Sequence, residues 1–435
     1  MWVIKINLKI YVISMIKAEE QIVNEKALNL HKQLRGKLEV KSRIKVTNSD
    51  VLSLAYNPGV ADVCKMIEKY PEKVFEYTNR WNNVAVVSDG SAILGLGNIG
   101  PEAGLPVMEG KAILFKEFGN VDAFPLCIKT QESEKIIDFV EMLSPTFGGI
   151  NLEDISSPRC FYIENELKKR LDIPVFHDDQ HGTAIVVLAA LKNALKIVNK
   201  KIEDVKIVTN GVGAAGGAIV KMLLSLGIKN IISCDKNGII NADIPETMLN
   251  DFHKEIAKYV NPDKLSGSIS NGLKGADIFI GTSVGNVITF DMIKTMADNS
   301  IVFSLASPIP EIEPEIAKKA GAKVVATGRS DYPNQVNNVL AFPGLFRGAL
   351  DVRAREINEE MELAAAQAIA ELVPDSELSE NFIIPKAFDP KVAKNIALKV
   401  AKAAVKSKVA KICLNDLQIE KTIDLNLKKQ DKENE

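Results

Sequence analysis

Apolar residues recur along this chain in short runs closed by turn residues, with stretches of helical spacing between them. "NVAVVSDG" and "AFPLCIK" are such runs within residues 15–160. Val, Ile and aromatic residues bounded by Asp-Gly or Pro read as strands. From about residue 161 the alternation is regular. A helix over roughly 182–199 precedes the strand-like "VKIVTN", and "GVGAAGGAIVKMLLSLG" opens a further helix from a glycine turn. "NIISCD", "ADIFIGTS", "SIVFSLAS" and "KVVATG" follow. β-Rich apolar runs separated by helical segments predict a parallel, doubly wound sheet, whose strands are covered on both faces. "FPGLFRGALDVRAREI" predicts a helix from a Pro-Gly start, and "DPKVAKNIALKVAKAAVKSKVA" a late amphipathic helix. "KKQDKENE" reads as a solvated tail. The fold class expected is α/β, with an N-terminal α/β domain over 15–160, a second α/β domain over 161–385, and a C-terminal helix and tail over 386–435. No internal repeat is seen.

The first residues, "MWVIKINLKIYVIS", are apolar but broken by Lys5 and Lys9 and carry no small-residue cleavage site. The stretch is too short to span a bilayer, and an amphipathic helix begins at Met15, where translation is expected to start. The 435 residues, 46% hydrophobic and 25% charged, allow two or three domains with cores of their own. A net charge of -2 gives no bulk attraction to nucleic acid or to an anionic membrane. Cys64, Cys127, Cys160, Cys234 and Cys413 are far apart and form no CxxC pair, which argues against a disulfide framework or zinc ribbon and for the reducing cytoplasm.

Chemistry enters at two places. Val205–Thr209 is read as a strand, and Gly211-Val212-Gly213-Ala214-Ala215-Gly216 is a GxGxxG that opens a helix. The first glycine permits the tight turn, the second lets backbone approach a pyrophosphate, and the third lets helix and strand pack closely. Unpaired N–H groups at the helix start face the anion. Asp235 ends the next strand, where it accepts from a ribose diol and repels a 2′-phosphate. The second domain is therefore expected to be of Rossmann type, with Gly211, Gly213, Ala214, Ala215, Gly216 and Asp235 at a dinucleotide. A glycine turn without a ligand is the plainer alternative, and the strand, helix and acid together weigh against it.

The second place is "FHDDQHGTA", where Asp178 and Asp179 stand between His177 and His181. "GGINLEDISSP" supplies Glu153 and Asp154. Acids beside apolar runs with no lysine neighbour in sequence are costly unless a cation compensates them. Hard oxygen donors without cysteine suit Mg²⁺ or Mn²⁺. The alternative is a pair of solvated loops with helix-capping aspartates. With four histidines in the chain, His177 and His181 are read as packing or supporting residues.

"LAYNPGVADVC", "VVSDGSAILGLGNIGPEAGLPVMEGKAILFKEF", "GGINLEDI", "PVFHDDQHGTA" and "NQVNNVLAFPGLFRGALDVRA" occur in this order. Together they resemble the malic enzymes, in the short form without an acyltransferase-like domain, from about residue 20 to about 410. The resemblance implies NAD(P)-dependent oxidative decarboxylation of L-malate to pyruvate and CO₂ with Mg²⁺ or Mn²⁺, by a homodimer or higher homo-oligomer. Residue by residue, it implies that Glu153, Asp154 and Asp179 are metal ligands and that Asp178 is a catalytic or supporting acid. It matches Lys111 to the lysine after "MEG" and Tyr56 to the tyrosine of a Tyr-x-Pro-Gly segment. Lys111 is then the favoured base, its pKa lowered by the cation, and Tyr56 the favoured acid. Asn337 and Asn338 match paired asparagines at the substrate, Asn338 also on the cofactor side. Three positions depart from the pattern. Ala92 stands where large animal forms have a carboxylate-binding arginine, Ser307-Pro308 replaces Asn-Pro, and Asn98 replaces Asp. Ser307 still offers one hydrogen bond to substrate. Two rival readings are a malolactic-type reaction that keeps NAD bound and yields lactate, and a nucleotide sensor on a dead scaffold. Tyr56, Lys111 and the metal acids weigh against the sensor.

Overall fold

The computed structural model describes residues 23–241 and 251–428, so the expected start at Met15 and the tail beyond 428 lie outside the described residues. The chain forms two compact units, Met1–Gly59 and Val60–Glu435. In the first, residues 23–34 are helical and a short helix covers Ser49–Ala55. Its N-cap is Asn48, whose side chain accepts from the Val51 N–H at 2.9 Å. That helix buries no residue, and Tyr56 ends it with 71% of its surface exposed.

The second unit holds two sheets. Strands β1 (Asn83–Ser88), β2 (Asp122–Cys127), β3 (Gly149–Leu152) and β4 (Val175–His177) form an all-parallel sheet of order β2-β1-β3-β4. Helices α1 (Pro101–Gly119), α2 (Ser133–Leu143) and α3 (Arg159–Arg170) connect them. β1 is buried along its whole length because both faces are covered: Val84 and Val86 face one core, Ala85 and Val87 the other. That explains why it reads as an unbroken apolar run.

Helix α4 (Asp178–Val198) leads to the second sheet. Strands β5 (Ile207–Asn210), β6 (Ile231–Asp235), β7 (Gly238–Ile239), β8 (Ile278–Gly281), β9 (Ile301–Ser304) and β10 (Val324–Thr327) take the order β10-β9-β8-β5-β6-β7. Only β7 runs antiparallel. This is the doubly wound dinucleotide-binding order, with its switch point between β5 and β8. Helix α5 (Ala214–Ser225) leaves the glycine turn after β5. The chain ends on α6 (Phe342–Asp351), α7 (Glu359–Glu371), α8 (Lys391–Lys406) and α9 (Asp416–Leu427).

α7 was not expected, and α4 and α9 differ most clearly from expectation. α4 begins at Asp178, a full turn before the apolar run that marked it at about 182. Acidic residues are favourable in a first helical turn, so the polar start belongs to the helix. α9 was not expected; a capping box of Asn415 and Gln418 starts it, and only Ile419 and Ile423 are buried. Two apolar anchors in twelve residues make too faint a periodicity to read. α4 is long and apolar enough to cross a membrane, yet 72% of its apolar window is buried in this protein's core. Phe346 of α6 is fully buried and meets Phe115 of α1 and Phe176 of β4 edge-on, at 5.2 and 5.9 Å between ring centroids. Phe346→Ala is expected to cost about 3–5 kcal/mol through the cavity it leaves. A thermal melt reads this directly, and an unmoved transition would contradict the packing.

Candidate active site

The two parallel strands β3 and β4 end side by side, and the residue after each is an acid: Glu153 after Leu152, Asp178 after His177. Asp154 has φ +53°, a left-handed conformation rare for a residue with a β-carbon. That turn breaks the strand's alternation, so Glu153 and Asp154 both stay at the strand end. The Asp154 N–H donates to Asp179 Oδ2 at 2.8 Å, and its carbonyl accepts from the Ala92 N–H at 3.0 Å. Lys111 reaches the same point from α1. Its Nζ donates to Glu153 Oε1 at 2.8 Å and to Asp178 Oδ2. Asn338 Nδ2 donates to the same Asp178 oxygen at 2.5 Å. Lys111 is 6% exposed and Asp178 not at all. Lys111, Glu153, Asp154, Asp178, Asp179 and Asn338 are therefore brought together.

No lysine stands beside these acids in sequence, yet the fold brings one to them. Lys111 lies 42 and 67 residues from its partners, a separation that neighbour-by-neighbour reading does not see. Nor is the Lys111 pKa depressed by these surroundings. Burial works to lower it, but Asp178 and Glu153 outweigh burial and raise it above the ordinary lysine value. Burial pushes the acids the other way: Asp178 up to about 8 and Asp154 up to about 9, with Glu153 and Asp179 also raised. One ammonium does not satisfy four carboxyl groups. Asp154 Oδ2 and Asp178 Oδ1 are buried without a hydrogen-bond partner. Orphaned hard oxygens of this kind fit a divalent cation. The side chains do not form a closed cage: among the described residues no three His, Cys, Asp or Glu groups stand at ligand spacing. Lys111 holds the place between Glu153 and Asp178, and Asn151 Nδ2 holds Glu153 Oε2 at 2.8 Å.

Both histidines support this site from behind. His177 is fully buried, with Nε2 3.8 Å from Asp179 Oδ2, and burial lowers its pKa to about 4. His181 bridges Glu164 and Glu362 at 2.9 Å each; burial opposes its charge, but these acids raise its pKa to about 9. Glu164 of α3 also accepts from the His177 N–H and from Gln180 Nε2, each at 3.1 Å. It thereby fixes the first turn of α4, which carries Asp178 and Asp179. Sequence reasoning missed Glu164, Asn151 and Phe342, whose ring lies 3.9 Å from Lys111 Nζ. Asn151 and Phe342 sit inside the quoted motifs, whereas nothing in "FYIENELKKR" marks Glu164.

The glycine loop occupies the β5/β8 switch point, where open α/β sheets bind ligands. Gly211 has φ +92°, and a β-carbon there would fall 2.6 Å from the Thr282 carbonyl oxygen. One on Gly216 would fall 1.7 Å from the Gly211 carbonyl oxygen, while Gly213 faces open space. Ala214 and Ala215 start α5 behind it. Asp235 ends β6; its Oδ1 accepts from the Asn237 N–H at 2.7 Å and its Oδ2 lies 3.7 Å from His253 Nδ1. His253 Nε2 in turn bonds the Val212 carbonyl at 3.0 Å. Ser307 is exposed on the loop after β9, and a β-carbon on Gly95 would come within 2.3 Å of its carbonyl oxygen. The "ILGLG" loop and the Ser307-Pro308 loop thus meet. Asn337 caps the turn Asn338–Leu340, its Oδ1 accepting from the Val339 N–H at 3.0 Å. Asn98 exchanges amide hydrogen bonds with Gln131 at 3.1 and 2.9 Å. Tyr56 belongs to the first unit and is not among the residues gathered here.

The N-terminal domain model of the malic enzymes matches residues 35–168, and the malic enzyme NAD binding domain matches 180–405. The bifunctional malic/malolactic enzyme of Bacillus subtilis is 55% identical over 406 residues, 93% of this chain and 99% of that protein. The NAD-dependent malic enzyme of Geobacillus stearothermophilus is 56% identical over 391 residues, 90% of this chain and 81% of that protein. The crystal structure of malic enzyme from Pyrococcus horikoshii superposes with a TM-score of 0.89 at 51% identity, covering 93% of this chain and 96% of that one. With both domain models matched and relatives of this identity along almost its whole length, the chain belongs to the malic enzyme family of oxidoreductases.

Proposed function

We propose that this protein oxidises L-malate and decarboxylates it to pyruvate and CO₂, with NAD as the preferred acceptor and Mg²⁺ or Mn²⁺ at the carboxylates. The observation that carries the reading is the buried meeting of Lys111 with Glu153 and Asp178 beside two unpartnered carboxylate oxygens. Glu153, Asp154 and Asp179 would hold the cation. When bound, the cation polarises the C2 oxygen and the nicotinamide accepts the hydride. Lys111, whose own proton the charge of a bound cation would oppose, would take the C2 hydroxyl proton as the neutral amine, while Asp178, joined to both Lys111 and Asn338, holds that amine in place. A 3-keto acid results, which loses CO₂. Asn338 and Ser307 are assigned to substrate, Asn338 also to the cofactor side. Asn337, engaged as a cap, acts there by fixing Asn338.

The family motif assigns the final proton, delivered to C3, to Tyr56. Tyr56→Phe is then expected to spare hydride transfer and to slow ketonisation of enolpyruvate by roughly 10²–10⁴-fold. With oxaloacetate supplied directly, CO₂ release should continue while pyruvate forms slowly. A wild-type ketonisation rate would assign that proton to another group.

Asp235 at the end of β6 supports NAD, because a carboxylate there repels a 2′-phosphate. Lys236 beside it offsets part of that repulsion, so NADP is accepted less well rather than excluded. Steady-state kcat/KM with each dinucleotide checks this, and a clear preference for NADP would mean that Asp235 points away from the ribose.

The malic/malolactic name of the Bacillus subtilis relative supports a second reading, in which part of the product is lactate made without release of NADH. Lactate and free NADH measured per malate consumed separate the two. Lactate equal to malate, with no NADH released, would replace the first reading by the second.

Leu28, Leu34, Val40 and Leu54 of the first unit are exposed, as is Tyr56. Exposed apolar groups of this density favour a protein partner, and a homodimer or larger homo-oligomer is proposed. Five free cysteines suit the cytoplasm.

A further inference from the structure

The four-stranded sheet has a second pole, away from the carboxylates. Arg80 lies just before β1, Ser144 before β3 and Asp172 before β4, and all three line one cavity of about 440 Å³. Arg353, two residues past the end of α6, and Lys411 complete it. The same strands β3 and β4 end at Glu153 and Asp178, so the cavity is separated from the active site by the length of the sheet, about 10–13 Å for three or four residues.

The two arginines of this cavity keep hydrogen-bond donors to spare. Lys411 Nζ is held by the Asp172 carbonyl at 2.7 Å and by the Asp172 carboxylate. That pair neutralises itself. Arg80 spends only Nε, which donates to the Phe147 carbonyl at 3.0 Å. The nearest carboxylate to Arg353 is Glu76, at 3.9 Å, too far for a hydrogen bond. Among the described residues the terminal nitrogens of both arginines find no hydrogen-bond acceptor. Both guanidinium groups lie over the Phe75 ring, at 4.8 and 5.1 Å from its centroid. Contact with one ring restricts two fork-shaped donors before any ligand arrives. Arg353 also sits in left-handed backbone, φ +49°, held by its N–H to the Leu350 carbonyl and by the Lys411 N–H to its own carbonyl. Strained backbone of this kind clusters at ligand sites. Glu72, exposed on the rim, and Glu76, which Lys73 also engages at 2.7 Å, are the acids left to oppose the two arginines.

We infer that this cavity binds a small oxyanion, a carboxylate or phosphate group gripped by Arg80 and Arg353 over Phe75. Two charge-assisted donors lining one cavity are what such a group requires. The site is independent of malate turnover and stands or falls apart from it.

Calorimetric titration of inorganic phosphate, and separately of acetate, into the full chain tests the inference, with the two arginine variants separating this cavity from the distant active site. One anion per chain is expected to bind, with Arg80→Gln and Arg353→Gln each weakening it by roughly tenfold or more. Phosphate alone binding would identify a phosphate site, and acetate alone a carboxylate site. No binding at millimolar anion, or unchanged affinity in both variants, would overturn the inference. Should a variant fail to fold, phenylglyoxal modification of the unaltered protein replaces it. The bound anion should then protect the peptides carrying Arg80 and Arg353, and equal modification with and without anion would overturn the site.

Discussion

Lys111→Ala is expected to lower kcat/KM for malate oxidation by roughly 10²–10⁴-fold, the usual cost of losing a positioned base. Two effects combine in that number. The variant loses the group that takes the C2 hydroxyl proton. It also leaves Glu153 and Asp178 buried without their ammonium, which destabilises the site itself. Lys111→Arg separates them, because arginine keeps the charge and does not give up its proton at working pH. If Lys111 is the base, Lys111→Arg folds like the parent protein and stays nearly inactive. If Lys111 is only a charge partner, Lys111→Arg recovers most of the activity. Near-normal malate oxidation by Lys111→Ala would remove Lys111 from the chemistry altogether.

The second large effect concerns the cation. Activity is expected to vanish with EDTA and to return with Mn²⁺ or Mg²⁺. Asp179→Ala should weaken Mn²⁺ binding by more than the 10–100-fold, roughly, that loss of a supporting residue costs. NAD affinity should change little, because the glycine loop after β5 is built from Gly211, Gly216 and Thr282 and owes nothing to Asp179. Titration of Mn²⁺ and of NAD into the variant reads both. Unchanged Mn²⁺ affinity would remove Asp179 from the ligand set, and loss of both affinities would mean that Asp179 is holding the fold rather than the ion.

The dinucleotide half was readable because its chemistry is local. The turn at Gly211, the tight packing at Gly216 and the acid at the end of β6 occupy one strand–helix–strand unit, and the structure places them there. Strand ends were less exact: β5 covers Ile207–Asn210, not Val205–Thr209. The carboxylate site was readable as residues but not as an arrangement. Its parts come from α1, the ends of β3 and β4, and the turn at Asn338, and only the folded sheet brings them together. Hence a lysine that holds two acids read as a lysine after a glycine. Asn337 and Asn338 look equivalent in "NQVNN", yet one caps a turn and the other reaches Asp178. Glu164 supports the site through four neighbours, His177, Gln180, His181 and Lys168, and no spacing along the chain foretells that.

The most direct test is the stoichiometry of the purified chain supplied with L-malate, NAD and Mn²⁺, with pyruvate, CO₂ and NADH counted together. One of each per malate consumed, none without the cation, and a slower reaction with NADP are the predicted results. Oxaloacetate accumulating without CO₂, or full turnover in protein verified to be free of metal, would contradict the account.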